Sequence, residues 1–139
     1  MPRFLKLYQR LVMNHVSFYD APTNEENKLA ENSFHMLFLG MSMATLGMYQ
    51  ITSNRETGHG RSDIIMASLQ PQERPHIIIE FKRGENLSKE AEVALNQILN
   101  KQYYAELFGE VLCVGIAHDG KECKLIHRII KVDEYGDYT

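Results

Sequence analysis

Three consecutive isoleucines, Ile77, Ile78 and Ile79, followed by Glu80, Phe81 and Lys82, constrain this chain more than any other stretch. A β-branched apolar run of this length is compatible with a central strand of a buried sheet. Such a strand does not carry two charges unless one face of its end is open. Side chains alternate along a strand, so Glu80 and Lys82 project from one face while Phe81 turns the other way into packing.

The flanking sequence supplies neighbours for that strand. From Met48 onward, Tyr49, Ile51 and Ser53 alternate with polar residues up to Glu56, and Thr57-Gly58-His59-Gly60 has turn chemistry. Residues 62–69 are β-compatible, so three strands stand in sequence with 76–82 as the third. After a break over 84–87, Ser88 can cap a helix whose Ala91, Ala94, Leu95, Ile98 and Leu99 continue toward Leu107 and Phe108 and stop at Gly109. Residues 111–118 read as a buried strand. Asp119-Gly120 is a hairpin signal leading into 121–130, and a two-residue turn there sets His118 opposite Lys121 and Cys113 opposite Ile126.

Upstream, Phe4, Leu7, Tyr8, Leu11 and Val12 form an amphipathic stripe within residues 1–22, a helix that packs on its own domain or serves as a docking arm. Thr23 and Glu26 have capping-box spacing, and Leu29, Phe34, Leu37, Phe38 and Met41 extend a second helix toward Gly47. Glu31 and His35, four apart, share one face of it. Residues 133–139 read as a polar tail. The order is an α/β layout, a mixed sheet flanked by helices, with the third helix as the crossover between parallel strands.

At 139 residues the expectation is one domain spanning 1–139. No apolar run approaches the roughly 20 residues of a membrane helix, and the start lacks the apolar core of a secretory signal. The expectation is a cytoplasmic protein with no membrane partner. Lys and Arg total 15 against 18 Asp and Glu, a net charge of -3, so contact with phosphates must be local. Arg61, Lys82, Arg83, Lys89 and Lys101 are candidates for a basic rim. Cys113 and Cys123 lack metal-site spacing and read as buried free thiols, and the six histidines form no HxH or HxxxH pair. The chain has no GxxxxGK[ST], which excludes a P-loop and ATP hydrolysis through one.

If the second and third strands pair like a hairpin, Asp63 comes beside Glu80. Two adjacent carboxylates repel, which makes a divalent cation their natural partner, and hard oxygen ligands select magnesium or manganese. Such an ion would polarise a phosphoryl oxygen and acidify a bound water. Lys82 beside it is assigned to positioning and charge stabilisation.

Asp63, then Glu80-Phe81-Lys82 on the next strand, together with Glu31-Asn32-Ser33-Phe34-His35, the string 53–63 and Ala94-Leu95-Asn96-Gln97-Ile98, resembles the PD-(D/E)xK nuclease superfamily. In particular it resembles the family often found behind an AAA-ATPase-like domain in bacteria. The resemblance implies a restriction-endonuclease-like αβββαβ core with an extra N-terminal helix. It implies Asp63, Glu80, Lys82, Glu31 and Gln97 as the catalytic set, and Asp63, Glu80, Phe81 and Glu31 as the metal set. Ser62 stands where the motif name has proline. The implied function is metal-dependent hydrolysis of phosphodiester bonds, DNA ahead of RNA, with a homodimer and an ATPase-like partner domain as possible associations. The alternative is a non-catalytic nuclease-fold module, binding nucleic acid or a protein partner within a larger defence or repair system.

Overall fold

In the computed structural model the isoleucine run is the middle strand of a five-stranded sheet. The structure describes residues 39–40, 43, 45–56, 61–119 and 122–139. Their elements are β1 (Tyr49–Glu56), β2 (Arg61–Ser68), β3 (His76–Arg83), helix α1 (Leu87–Asn100), β4 (Gly109–His118) and β5 (Cys123–Val132). The helices expected over 1–22 and 23–47 and the turn at 57–60 lie wholly or mostly outside the described residues, as do Glu31 and His35.

Spatial order follows chain order. β1 to β3 are antiparallel neighbours, β3 and β4 are parallel, and β5 returns antiparallel to β4. The parallel seam needs a crossover, and α1 supplies it. Alternation then divides the sheet. Ile77, Ile79 and Phe81 join Ile64, Met66, Leu112, Val114 and Ile116 in one buried cluster, while Ile78 joins Val111, Cys113, Ile130 and the α1 residue Ile98 in the other. Glu80 and Lys82, two and four residues beyond Ile78, therefore lie on the face that α1 covers.

Four local expectations are corrected. The helix does not reach Leu107: Gln102 takes a left-handed φ of 57°, and the chain continues in turns that still bury Tyr104 and Leu107. Apolar spacing thus continued past the point where the backbone left the helix. The cap is Asn86, whose side chain accepts the Lys89 N–H at 3.2 Å, and not Ser88, whose hydroxyl accepts from Lys124 Nζ at 3.1 Å.

The β4–β5 register is His118 opposite Cys123 and Cys113 opposite Arg128, two residues from the expected pairing. Asp119 explains the shift. Its N–H donates to the Glu122 carbonyl at 3.2 Å and its Oδ1 accepts the Glu122 N–H at 2.7 Å, so it belongs to the closing pair and not to the centre of the turn. Both cysteines are buried and free, and they are not partners.

Residues 133–139, expected as a polar tail, fold back. Lys131 and Thr139 exchange main-chain hydrogen bonds, and Asp133 Oδ1 accepts the N–H groups of Tyr135 and Asp137. Tyr138 then meets Tyr104 edge-on at 5.0 Å, with Arg128 over its ring. Composition alone missed this because the turn is built from side-chain-to-backbone bonds of a polar residue.

Candidate functional site

Asp63 stands directly opposite Glu80 in the β2–β3 ladder. Directly opposed residues of an antiparallel pair share a face, with Cβ atoms typically about 4.5–5.5 Å apart. Asp63 is 9% exposed and Glu80 is fully buried. A buried carboxylate is costly unless other groups meet it, and here Gln97 of α1 does so. Its amide nitrogen donates to Glu80 Oε1 at 2.7 Å and its amide oxygen accepts from Lys82 Nζ at 3.1 Å. Only this orientation of the carboxamide works, since the reverse sets oxygen against carboxylate and NH2 against ammonium. Glu80 Oε2 is likewise cut off from solvent.

The helix reaches the carboxylate because β4 has a glycine at the right place. Gly115 is opposite Glu80 across the parallel seam, and a Cβ there would fall 2.3 Å from the Ala91 carbonyl oxygen. On the other face, the Phe81 ring stacks on His118 with centroids 5.6 Å apart and planes 7° from parallel. Burial holds His118 neutral, its pKa pushed down to about 3. Its carbonyl accepts the Gly84 N–H at 3.1 Å, so it grips both ends of the Phe81–Gly84 segment.

Of the site residues expected from the sequence, Asp63, Glu80, Lys82 and Gln97 come together. Phe81 is adjacent, but its ring is buried in the opposite cluster, so any contact from that residue to an ion falls to its main-chain carbonyl. Glu31 lies outside the described residues. Of the expected basic rim, Lys89 and Lys101 are exposed at opposite ends of α1, about 18 Å apart at 1.5 Å per residue. Burial pushes the Cys113 and Cys123 thiols up to about 12, which removes them as nucleophiles. Sequence reading passed over Gly115 and His118. A lone glycine inside a buried strand is a signal of close backbone approach, whereas nothing local announces a stacked histidine.

The ladder pair, the lysine two residues on and the glutamine from the crossover helix form a recognisable constellation. A family model of the PD-(D/E)XK nuclease superfamily matches residues 29–128, well over half of the chain. The chain belongs to the PD-(D/E)XK nuclease superfamily. The match includes all four of these residues, together with Glu31. No curated protein and no solved structure matches the chain. The mixed sheet with its crossover helix is consistent with the restriction-endonuclease-like fold of the superfamily.

Nucleases of this superfamily typically use divalent metals, and the donor set can be tested against that. Among the described residues no cluster of three or more His, Cys, Asp and Glu could hold an ion. Asp63 and Glu80 make a pair. Magnesium-type ions need only one or two carboxylates, with water and substrate oxygens completing the shell, so the pair fits. Among the described residues no helix is long and apolar enough to cross a membrane.

Proposed function

We propose that the protein is a magnesium- or manganese-dependent nuclease that hydrolyses phosphodiester bonds, with DNA as substrate ahead of RNA. The observation that carries this is the Gln97 carboxamide spanning Glu80 and Lys82, with Asp63 in register opposite Glu80. A neutral amide thus bridges amine and carboxylate and keeps them in fixed relation.

In this reading Asp63, Glu80, the Phe81 carbonyl and Glu31 would hold the ion, which would supply acidity to a water and charge stabilisation to the attacked phosphate. Lys82 orients the attacking water in line with the leaving oxygen and offsets negative charge on the phosphate. Gln97 holds Lys82 through its oxygen and fixes Glu80 Oε1 as an acceptor through its nitrogen. Phosphoryl transfer depends chiefly on such positioning and charge stabilisation, which a rigid ladder and an adjoining helix are suited to provide.

The test is incubation of plasmid, single-stranded and branched DNA, and of RNA, with magnesium or manganese, using wild type, Asp63→Ala and Lys82→Ala. Cleavage by wild type and a loss of about 1,000-fold or more in each variant are expected. Cleavage that survives both substitutions would remove the site from the mechanism. Absence of cleavage by wild type, together with no calorimetric binding of either metal, would leave a binding module.

A further inference from the structure

We propose that Gly115 is a positioning residue for hydrolysis: it admits the backbone of α1 close enough to the sheet for Gln97 to span Glu80 and Lys82. This rests on the functional reading above and adds to it a residue that never meets the substrate.

Gly115 lies opposite Glu80 across the parallel seam, on the α1 side of the sheet. A Cβ there would sit 2.3 Å from the Ala91 carbonyl oxygen, 2.8 Å from the Leu95 nitrogen and 3.2 Å from the Ala94 Cβ. The first two are main-chain atoms inside a helix and cannot swing aside. Relief to van der Waals contact therefore requires the helix to move by roughly 1 Å. Leu95 and Gln97 are two residues apart, about 3 Å along the axis, so the shift is carried to Gln97. The bonds it makes, 2.7 Å to Glu80 and 3.1 Å to Lys82, have little slack before they leave hydrogen-bonding range.

Gly84 provides the contrast. A Cβ there meets Glu90 Cγ at 2.5 Å and Cδ at 2.9 Å, atoms of a side chain that can rotate away. One glycine near the site is replaceable and the other is not.

The experiment measures manganese-dependent plasmid cleavage by wild type, Gly115→Ala, Gln97→Ala, the double variant and Gly84→Ala. Gly115→Ala is expected to lose as much as Gln97→Ala, about 10- to 100-fold. The loss should fall in kcat, with KM for DNA within about twofold, because the arrangement of the reacting groups changes and not the grip on DNA. In the Gln97→Ala background, Gly115→Ala should add no more than about twofold, since the partner through which it acts is already gone. Gly84→Ala should stay within about twofold of wild type.

Multiplicative losses in the double variant, or Gly115→Ala cleaving like wild type, would overturn the inference while leaving the functional reading intact. A wild type that cleaves nothing takes down both. If circular dichroism shows Gly115→Ala unfolded, Ala94→Val applies the same push from the helix side. It must then show the same dependence on Gln97.

Discussion

Strand β3 buries a polar side chain at its start, His76, and another four residues later, Glu80, and the two are satisfied in different ways. His76 is 6% exposed. Its Nδ1 accepts the Ser68 N–H at 2.8 Å, which leaves the ring hydrogen on Nε2 to be donated to the Phe108 carbonyl at 2.9 Å. Both partners are main chain, so the ring ties the end of β2 and the approach to β4 onto the start of β3. Glu80 is held instead by a side chain from another element, which also holds a lysine. A ring whose two nitrogens are consumed by backbone has nothing left for a ligand. In the proposed mechanism the Glu80 carboxylate, opposite that of Asp63, is the one that would meet an ion. The comparison therefore sets a proposed structural station at the start of this strand against a proposed chemical one near its end.

Glu80→Gln should break the comparison most sharply. Shape is kept and a buried charge is removed, so cleavage is expected to fall by about 1,000-fold or more, roughly 4 kcal/mol, while the urea midpoint stays level or rises. A large loss of stability would mean that Glu80, too, is structural. His76→Phe should do the reverse. It strands a buried N–H and a buried carbonyl, costing about 2–4 kcal/mol of stability, with kcat little changed below the unfolding transition. Loss of kcat in a folded His76→Phe protein would contradict the assignment.

The smallest effect concerns His118, the buried ring stacked on Phe81. Its pKa is lowered from 6.5 to about 3 in the folded protein. The unfolded chain therefore binds a proton more readily than the folded one. The contribution of this group to stability is complete above 6.5 and is lost as pH falls through the window from 6.5 to about 3. His118→Phe keeps a stackable ring without the titration, so its unfolding midpoint should fall less steeply than that of wild type across that window. Parallel curves would show that the ring does not titrate as its burial requires.

Much of this arrangement was legible in the residues. The Ile77–Ile79 run, the alternation of Glu80 and Lys82 about Phe81, and the order of strands and crossover helix follow from side-chain periodicity, which is local. The Asp63–Glu80 pairing followed from a hairpin assumption, and the register bears that out. Where the reading erred, short-range turn geometry and side-chain-to-backbone bonds, to which apolar periodicity is blind, decided the outcome. Asp119 joined the ladder, Gln102 ended α1 while apolar spacing continued, and Asp133 folded the tail.

By itself the sequence determined which side chains share a face of β3 and that the chain alternates strands with a crossover, because alternation and β-branching act within a few residues. Only the tertiary structure decided that Gln97 turns its amide nitrogen to Glu80 and its oxygen to Lys82, and that a glycine on β4 lets it reach them. Those outcomes depend on how closely a helix and a sheet pack, a distance set by side chains from several separate segments at once.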